Sequence, residues 1–281
     1  MLKIHYSLES DSLTGIEDIS APKELSIQVR NLVLKTKKGK TVARGEMLAE
    51  HPSKFGGAYH ASASGKVAKV DYHRMTIKCD GGEEQVQPVD VLSMAPGKPM
   101  LRALQNLGIN VAPLSKTEIL IINGLNPEPG VSVAEQLLKD EKDTLETGLS
   151  IAKMLCGPER TVLAVADGAN YTLNGSEIKK VKPKYPKSLD ALVVKAVTGK
   201  EFPSNAKVIN VMDLYDLGRV AETGLPVTET IMTIGGRNFR VPLGTPISHI
   251  LDSLEMVVTS GDTVVLGGPF RVKPSTASMR V

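Results

Sequence analysis

The residues from Thr117 to Leu138, TEILIINGLNPEPGVSVAEQLL, combine a short apolar run, a turn and a helix start. In that order, α/β proteins offer backbone amides to a phosphate-bearing ligand. Glu118-Ile119-Leu120-Ile121-Ile122 is rich in β-branched residues and predicts a strand buried on both faces. Asn123-Gly124 ends it, and Pro127 and Pro129-Gly130 keep the next residues irregular. Ser132 followed by Glu135 has the spacing of a capping box and places a helix start there. Other candidates carry less chemistry. Cys79 and Cys156 fall short of the four thiolates of an iron–sulfur cluster, and a disulfide is disfavoured in a reducing compartment. Histidines 5, 51, 60, 73 and 249 lack metal-ligand spacing and read as structural or solvated. Gly56 to Lys66 ends like a P-loop, but His60 stands at its first glycine and Val67 at its Ser/Thr. The five lysines between Lys179 and Lys187 suit a solvated loop, or a contact for an acidic electron carrier or anionic lipid.

The pattern along the chain supplies a scaffold for these residues. Up to about residue 95 it is strand-like with closely spaced turn residues. Within it, Lys38–Glu50 (KGKTVARGEMLAE) and His60–Val67 (HASASGKV) resemble the two halves of a biotinyl/lipoyl-like barrel-sandwich hybrid. Glycines 39, 45 and 65 are expected in turns, with Val42, Leu48 and Val67 facing inward. Carrier domains of that kind place a modifiable lysine between the halves. The segment His51–Tyr59 lacks the flanking pattern, so Lys54 reads as a surface lysine.

Met94–Pro99 is linker-like, and strands then alternate with helices. A short helix is expected over 101–107 and a capped helix from 133. Asp143 and Glu146 suggest a second cap, for a helix with Leu145, Leu149, Ala152 and Leu155 on one face, stopped by Gly157-Pro158. Thr161–Ala166 is a second buried strand, and Ser188 is expected to cap a helix ended by Gly199. The repeated βα order argues for a parallel or mixed sheet covered by helices, an α/β fold. From 227, a hairpin around Gly235-Gly236-Arg237-Asn238, a helix from Thr245-Pro246 to near Leu254 and a strand over 263–266 outline a β-grasp module. The expected division is thus 1–95, 96–226 and 227–281.

Composition narrows the function. The 281 residues are 41% hydrophobic and 23% charged, ordinary for a globular chain. Thirty-four basic against thirty-one acidic residues give +3, too balanced for a nucleic-acid binder, and 4% aromatics with no Trp leave few stacking platforms. No apolar run reaches the ~18 residues of a membrane span, and the first residues lack a secretion signal. The expected location is the cytoplasm, with peripheral attachment to the cytoplasmic face of a membrane as the variant.

Taken in order, these pieces resemble the C subunit of the Rnf complex, a membrane-bound ion-translocating electron-transfer assembly. The flavin-carrying NADH-oxidising subunit of respiratory complex I and the A subunit of the Na+-translocating NADH:quinone reductase share that fold family. The resemblance rests on the N-terminal half-motifs, Asn123-Gly124 with Glu128-Pro129, Tyr185-Pro186, Asn210-Val211, Gly224-Leu225-Pro226 and Gly267-Gly268-Pro269. It implies a barrel-sandwich hybrid, a central Rossmann-like domain resembling the complex I FMN-binding fold, and an SLBB-type β-grasp domain. It also implies a flavin site at Asn123, Gly124, Glu128 and Asn210, here vestigial. The family's GxGGAGFPT loop is replaced by Gly108–Lys116 (GINVAPLSK), which has one glycine. Asn126 and Ala134 stand where acidic residues are expected, and Lys187–Asp190 replaces a Gly-Gly-Glu turn. The sequence ends at Val281, where the resemblance would continue into a cysteine-rich ferredoxin-like region, expected to be lacking. The leading expectation is a cofactor-poor scaffold or docking subunit without flavin or iron–sulfur cluster. Its partners would be other subunits of a membrane-bound redox complex, with a ferredoxin-like protein among them. One alternative is an NADH-dependent FMN-binding subunit with altered loops. The other is a ligand- or protein-binding module without a redox role.

Overall fold

The computed structural model describes residues 6–10, 12–259, 264–271 and 273–275; the expected strand start Thr263 and His5 lie outside them. The first part holds short strands: β1 (Ile16–Asp18), β2 (Glu24–Gln28), β3 (Val33–Leu34), β4 (Thr41–Val42), β5 (Met47–Glu50), β6 (Tyr59–His60), β7 (Gly65–Val70) and β8 (Arg74–Cys79). All but β1 form two antiparallel sheets, in the orders β2-β8-β7-β4 and β3-β5-β6. Between them lies a cluster that includes Ile27, Val42, Leu48, Val67, Met75 and Ile77. Val42, Leu48 and Val67, expected to face inward, are 1%, 0% and 0% exposed. Gly45 sits in a turn at φ 83°, as its type suggests. Gly65 does not. It opens β7 opposite Cys79, where a Cβ would lie 2.1 Å from the Lys78 carbonyl oxygen.

The middle of the chain runs α1 (Lys98–Asn106), β9 (Ile119–Asn123), α2 (Val133–Asp140), α3 (Lys142–Cys156), β10 (Arg160–Ala166), β11 (Glu177–Val181), α4 (Asp190–Thr198), β12 (Ala206–Asn210) and α5 (Val211–Thr223). Its four strands are parallel in the order β11-β10-β9-β12. Leu120 and Ile122 of β9 belong to the cluster with α1, α2, α3 and α5, whereas Ile121 joins Val193 and Val194 of α4. All three are 0% exposed, each contributing about 1.5–3 kcal/mol of burial. Two glycines let α3 and α5 touch. A Cβ on Gly148 would lie 2.2 Å from the Leu214 carbonyl oxygen, and one on Gly218 2.0 Å from that of Thr144.

The expected caps of α3 and α4 are not made. Helix α3 starts after Glu141 without a side-chain cap, and Glu146 instead accepts from the Asn174 amide (3.1 Å) and its Nδ2 (2.8 Å). Ser188 donates to the Pro127 carbonyl (2.9 Å), leaving Leu189 as the uncapped start of α4. In both cases the side chain is engaged by a partner distant in sequence instead.

The last part holds β13 (Glu229–Ile234), β14 (Arg237–Pro242), α6 (Ile247–Ser253), β15 (Val264–Leu266) and β16 (Lys273–Ser275). The hairpin β13–β14 takes its third strand from the start of the chain, with Ile16 paired to Asn238 in parallel register. The strand expected to complete a β-grasp, β15, pairs with β16 instead. Ile231 of β13 is part of the main core, and the terminal hairpin packs against helix α2 of the middle part. No helix among the described residues is long and apolar enough to cross a membrane.

Candidate functional site

The chain leaves β9 toward β10 and β11, then returns to add β12 on the other side of β9. This reversal opens a crevice beyond the carboxyl ends of β9 and β12, where open α/β sheets hold ligands. Asn123 and Asn210 end these two strands and are register partners. Both line a cleft of about 230 Å3 together with Ser188, Asp190, Asp213 and Arg271.

Each polar group named from the sequence is already engaged. Asn123 is 4% exposed; its Nδ2 donates to the Ser188 carbonyl (2.9 Å) and Asp190 Oδ1 (2.8 Å), and its Oδ1 accepts from the Leu125 amide (3.2 Å). The Gly124 amide donates to the Ala164 carbonyl (2.9 Å), and a Cβ at Gly124 would lie 2.9 Å from that oxygen. Asn210 caps α5: its Oδ1 accepts from the Asp213 amide (2.8 Å) and its Nδ2 donates to the Asp213 carboxylate (2.7 Å). Glu128, 1% exposed, accepts from the Phe270 amide (2.8 Å) and from Arg271 Nε (3.0 Å). Phe270 itself stacks between Tyr6 and Tyr185, with ring centroids 5.4 and 4.3 Å away. Residues 267–271 therefore lie over Glu128 as a strap, and Arg271 reaches the cleft beside the two asparagines.

Two carboxylates and one guanidinium, that of Arg271, line the cleft. Helix amino termini attract negative charge, yet α4 and α5 each carry their own carboxylate in the first turn, Asp190 and Asp213. Burial pushes the Asp213 carboxyl above its usual range, the Asn210 hydrogen bond opposes this, and Asp190 adds to it. The capping box expected on α2 is not formed. Ser132 Oγ accepts from Asn238 Nδ2 (2.9 Å) and the Ser132 amide donates to Thr233 Oγ1 (2.9 Å), tying α2 to the terminal hairpin. Asn126 takes over the cap, its Oδ1 accepting from the Glu135 amide (3.1 Å), while the Glu135 carboxylate accepts from Asn126 Nδ2 (3.2 Å). The loop that the resemblance puts at a cofactor phosphate is packed inward: Ile109, Val111 and Leu114 join the core, and the Val111 amide donates to the Phe55 carbonyl (2.9 Å).

Of the four residues named in advance, Asn123 and Asn210 share the cleft, Gly124 lies behind it against β10, and Glu128 reaches it through Arg271. Sequence reasoning missed Asp190, Asp213 and Arg271. Asp213 had a readable signal, since Asn210 followed by Asp213 is a cap spacing. Arg271 had none, lying 143 positions from Glu128. Groups of three or more metal-capable side chains are absent among the described residues. Cys79 ends β8 and Cys156 ends α3; burial raises both thiols, that of Cys156 to about 11, and keeps them neutral.

No protein-family profile matches the chain. Curated relatives do. The C subunit of the ion-translocating oxidoreductase complex of Haemophilus influenzae (strain 86-028NP) is 24% identical over 83% of this chain, which spans 41% of that protein. The C subunit of the Na(+)-translocating ferredoxin:NAD(+) oxidoreductase complex of Acetobacterium woodii is 24% identical over 83% of this chain and 64% of its own length. Among solved structures, an NAD+-reducing [NiFe]-hydrogenase in the H2-reduced state matches with a TM-score of 0.49 and 15% identity, over 66% of this chain and 44% of that one. That structural likeness is too loose to carry function. The sequence relatives are components of electron-transfer complexes, and this chain corresponds to part of them.

Proposed function

We propose that this chain, a relative of the C subunits of Rnf-type ion-translocating oxidoreductase complexes, is a cofactor-poor docking subunit of such a membrane-associated assembly. The reading is supported by one observation above the rest. At the switch point of the central sheet, Asn123, Glu128 and Asn210 all spend their hydrogen bonds within the chain. A flavin phosphate needs convergent free backbone donors, and the loop 108–116 that would supply them packs into the core instead. Other subunits of the complex would be its partners, and the name of the Acetobacterium woodii relative makes a ferredoxin-like electron carrier a candidate. Attachment to the membrane would be peripheral, through those partners.

The competing reading is an NADH-dependent FMN-binding subunit. The crevice at Asn123 and Asn210 favours it, being the place where such folds bind. Titration of the purified chain with FMN, followed by addition of NADH and a dye acceptor, separates the two. The docking role predicts unquenched flavin fluorescence and no dye reduction, with the chain recovered in a larger assembly from its native cell. Stoichiometric FMN binding with NADH-dependent dye reduction would establish the flavoenzyme in its place.

A further inference from the structure

A second and larger cleft, of about 750 Å3, opens where the N-terminal sheets, the loop after α1 and the terminal hairpin meet. Gln28 of β2 and Arg74 of β8 are register partners on one side of it, with Ser26 on the same face of the sheet. The Ser26 amide donates to the Gly244 carbonyl (3.0 Å), which lays Leu243 against that face. The Leu243 amide donates to the Thr228 carbonyl (2.9 Å), which sets Val227 beside it. Leu243 and Val227, together with Phe55 from the loop before β6, give the cleft an apolar side next to this polar one. The Phe55 ring is 46% exposed, so it has surface left to cover.

The polar side has more free donors than acceptors. The Arg74 guanidinium makes no ion pair or hydrogen bond among the described residues, and no carboxylate lines the cleft. The Ser53 amide donates to His51 Nδ1 (3.0 Å), so the proton of that ring sits on Nε2, a second unengaged donor among the described residues. Asn110 Oδ1 accepts from the Ala112 amide (3.1 Å), leaving its Nδ2 as a third. Gln28 and the hydroxyls of Ser26, Ser53 and Tyr59 can donate or accept and set no preference. His60 takes no part: it is 4% exposed, and its unpartnered Nδ1 is sealed from the cleft.

We propose that this cleft binds a small apolar carboxylate, its charged end paired with Arg74 and its apolar body laid on Phe55, Val227 and Leu243. The volume lies within the range of about 300–1,000 Å3 in which proteins enclose small organic ligands. A guanidinium recognises a carboxylate through two parallel N–H···O bonds, whereas an alcohol of the same length accepts singly and carries no charge. The site is separate from the crevice at Asn123 and does not depend on the docking role.

The test uses the full chain, labelled with 15N and 13C, and three probes: octanoate, octan-1-ol and butanoate. Octanoate is expected to shift the Arg74 Nε–H and Leu243 methyl resonances and to bind about tenfold tighter than octan-1-ol. Arg74→Gln, a change at an exposed side chain, should bring octanoate down to the level of the alcohol in a protein with an otherwise unchanged spectrum. Leu243→Trp, which fills the apolar side, should abolish binding of both. Failure of octanoate to bind overturns the proposal, as does binding that Arg74→Gln leaves unchanged. Butanoate binding as tightly as octanoate would mean a surface charge with no apolar site, and overturns it too. Binding that survives in a folded Leu243→Trp protein places the ligand elsewhere, with the same consequence.

Discussion

The carboxyl end of the central sheet and the cleft at His60 are opposites. At the first, Asn123, Asn210 and Glu128 are polar, buried or cleft-lining, and fully paired within the chain. At the second, a buried imidazole keeps an unpaired nitrogen beside a volume more than three times larger, about 750 against about 230 Å3. The end whose sequence suggests a ligand has been closed by its own side chains; the end whose sequence suggests only a structural module has capacity left over. A satisfied polar network adds stability and specifies one geometry, whereas an orphaned polar atom costs stability until something pairs with it. Substitutions at the two ends should therefore differ in sign as well as in size.

The largest difference is expected with pH. His60 titrates near the usual 6.5 in the unfolded chain but at about 4 when folded. Its depressed folded value means that the unfolded chain takes up the proton first as pH falls. Stability is thus full above pH 6.5 and declines toward pH 4, by about 3 kcal/mol. His60→Met should remove that acid-side loss and leave stability at pH 7 unchanged or slightly raised. Urea midpoints at pH 7 and pH 4.5 for both proteins check it; equal acid loss in the variant would mean that His60 is not the group responsible.

Glu128→Ala should do the reverse at neutral pH. It removes the acceptor of the Phe270 amide and of Arg271, at a cost of about 1.5–3 kcal/mol. The Arg271 share is the smaller, since that side chain is 53% exposed and meets solvent once released. Amide exchange at Phe270 should quicken together with the loss of stability. A protected Phe270 amide in the variant would show that the aromatic stack with Tyr6 and Tyr185 holds the strap without Glu128.

These contrasts explain what could be read in advance. The strand 119–123 was legible because alternate apolar residues face two buried layers, and the turn and core positions Gly45, Val42, Leu48 and Val67 were legible because turn and strand preferences are local. The caps at Ser132, Glu146 and Ser188 were misread because the motif describes only the nearest partners. In the folded chain Asn238, Asn174 and Pro127 compete for these side chains and win. Strand β1 escaped notice, since three residues have no periodicity to detect. The cleft at His60 is assembled from segments around 26–28, 51–60, 108–112 and 243, and nothing in any one of them signals the others.

A smaller effect comes from a buried carboxyl elsewhere on α5, outside the cleft at Asn123. Asp216, on α5 beyond the Asn210 cap, has its carboxyl pushed up to about 7 by burial and then by Asp213, with Arg219 opposing. Here the folded state holds its proton longer than the unfolded chain does. This contribution is complete below the ordinary value of 3.8 and is lost as pH rises toward 7. Asp216→Asn should stabilise the protein at pH 8 by about 1–2 kcal/mol, less than the full shift implies because part of the side chain meets solvent. The same substitution should change little at pH 4. Equal effects at both pH values would point to packing rather than charge.

The smallest effect on stability, and the sharpest test of a docking role, is expected on the rim of the closed end. Lys179 and Lys180 lie on β11, an exposed edge strand, and Lys184 sits 5.9 Å from the Tyr6 ring that stacks on Phe270. Lysines on a sheet edge discourage pairing with other chains, which alone explains their presence. A docking surface for an acidic carrier or anionic lipid adds a requirement: charge, not merely polarity, must matter. Replacing Lys179, Lys182 and Lys187 by Glu should shift stability by no more than about 0.5 kcal/mol, as exposed side chains do. If the face docks an acidic partner, the same change should weaken that binding strongly at low salt and little at high salt, because screening at ~0.15 M already removes most long-range attraction. Replacement by Gln should fall between the two. Binding that is indifferent to all three lysines at low salt would leave edge protection as their whole function, and the closed end would then be closed on its outside as well.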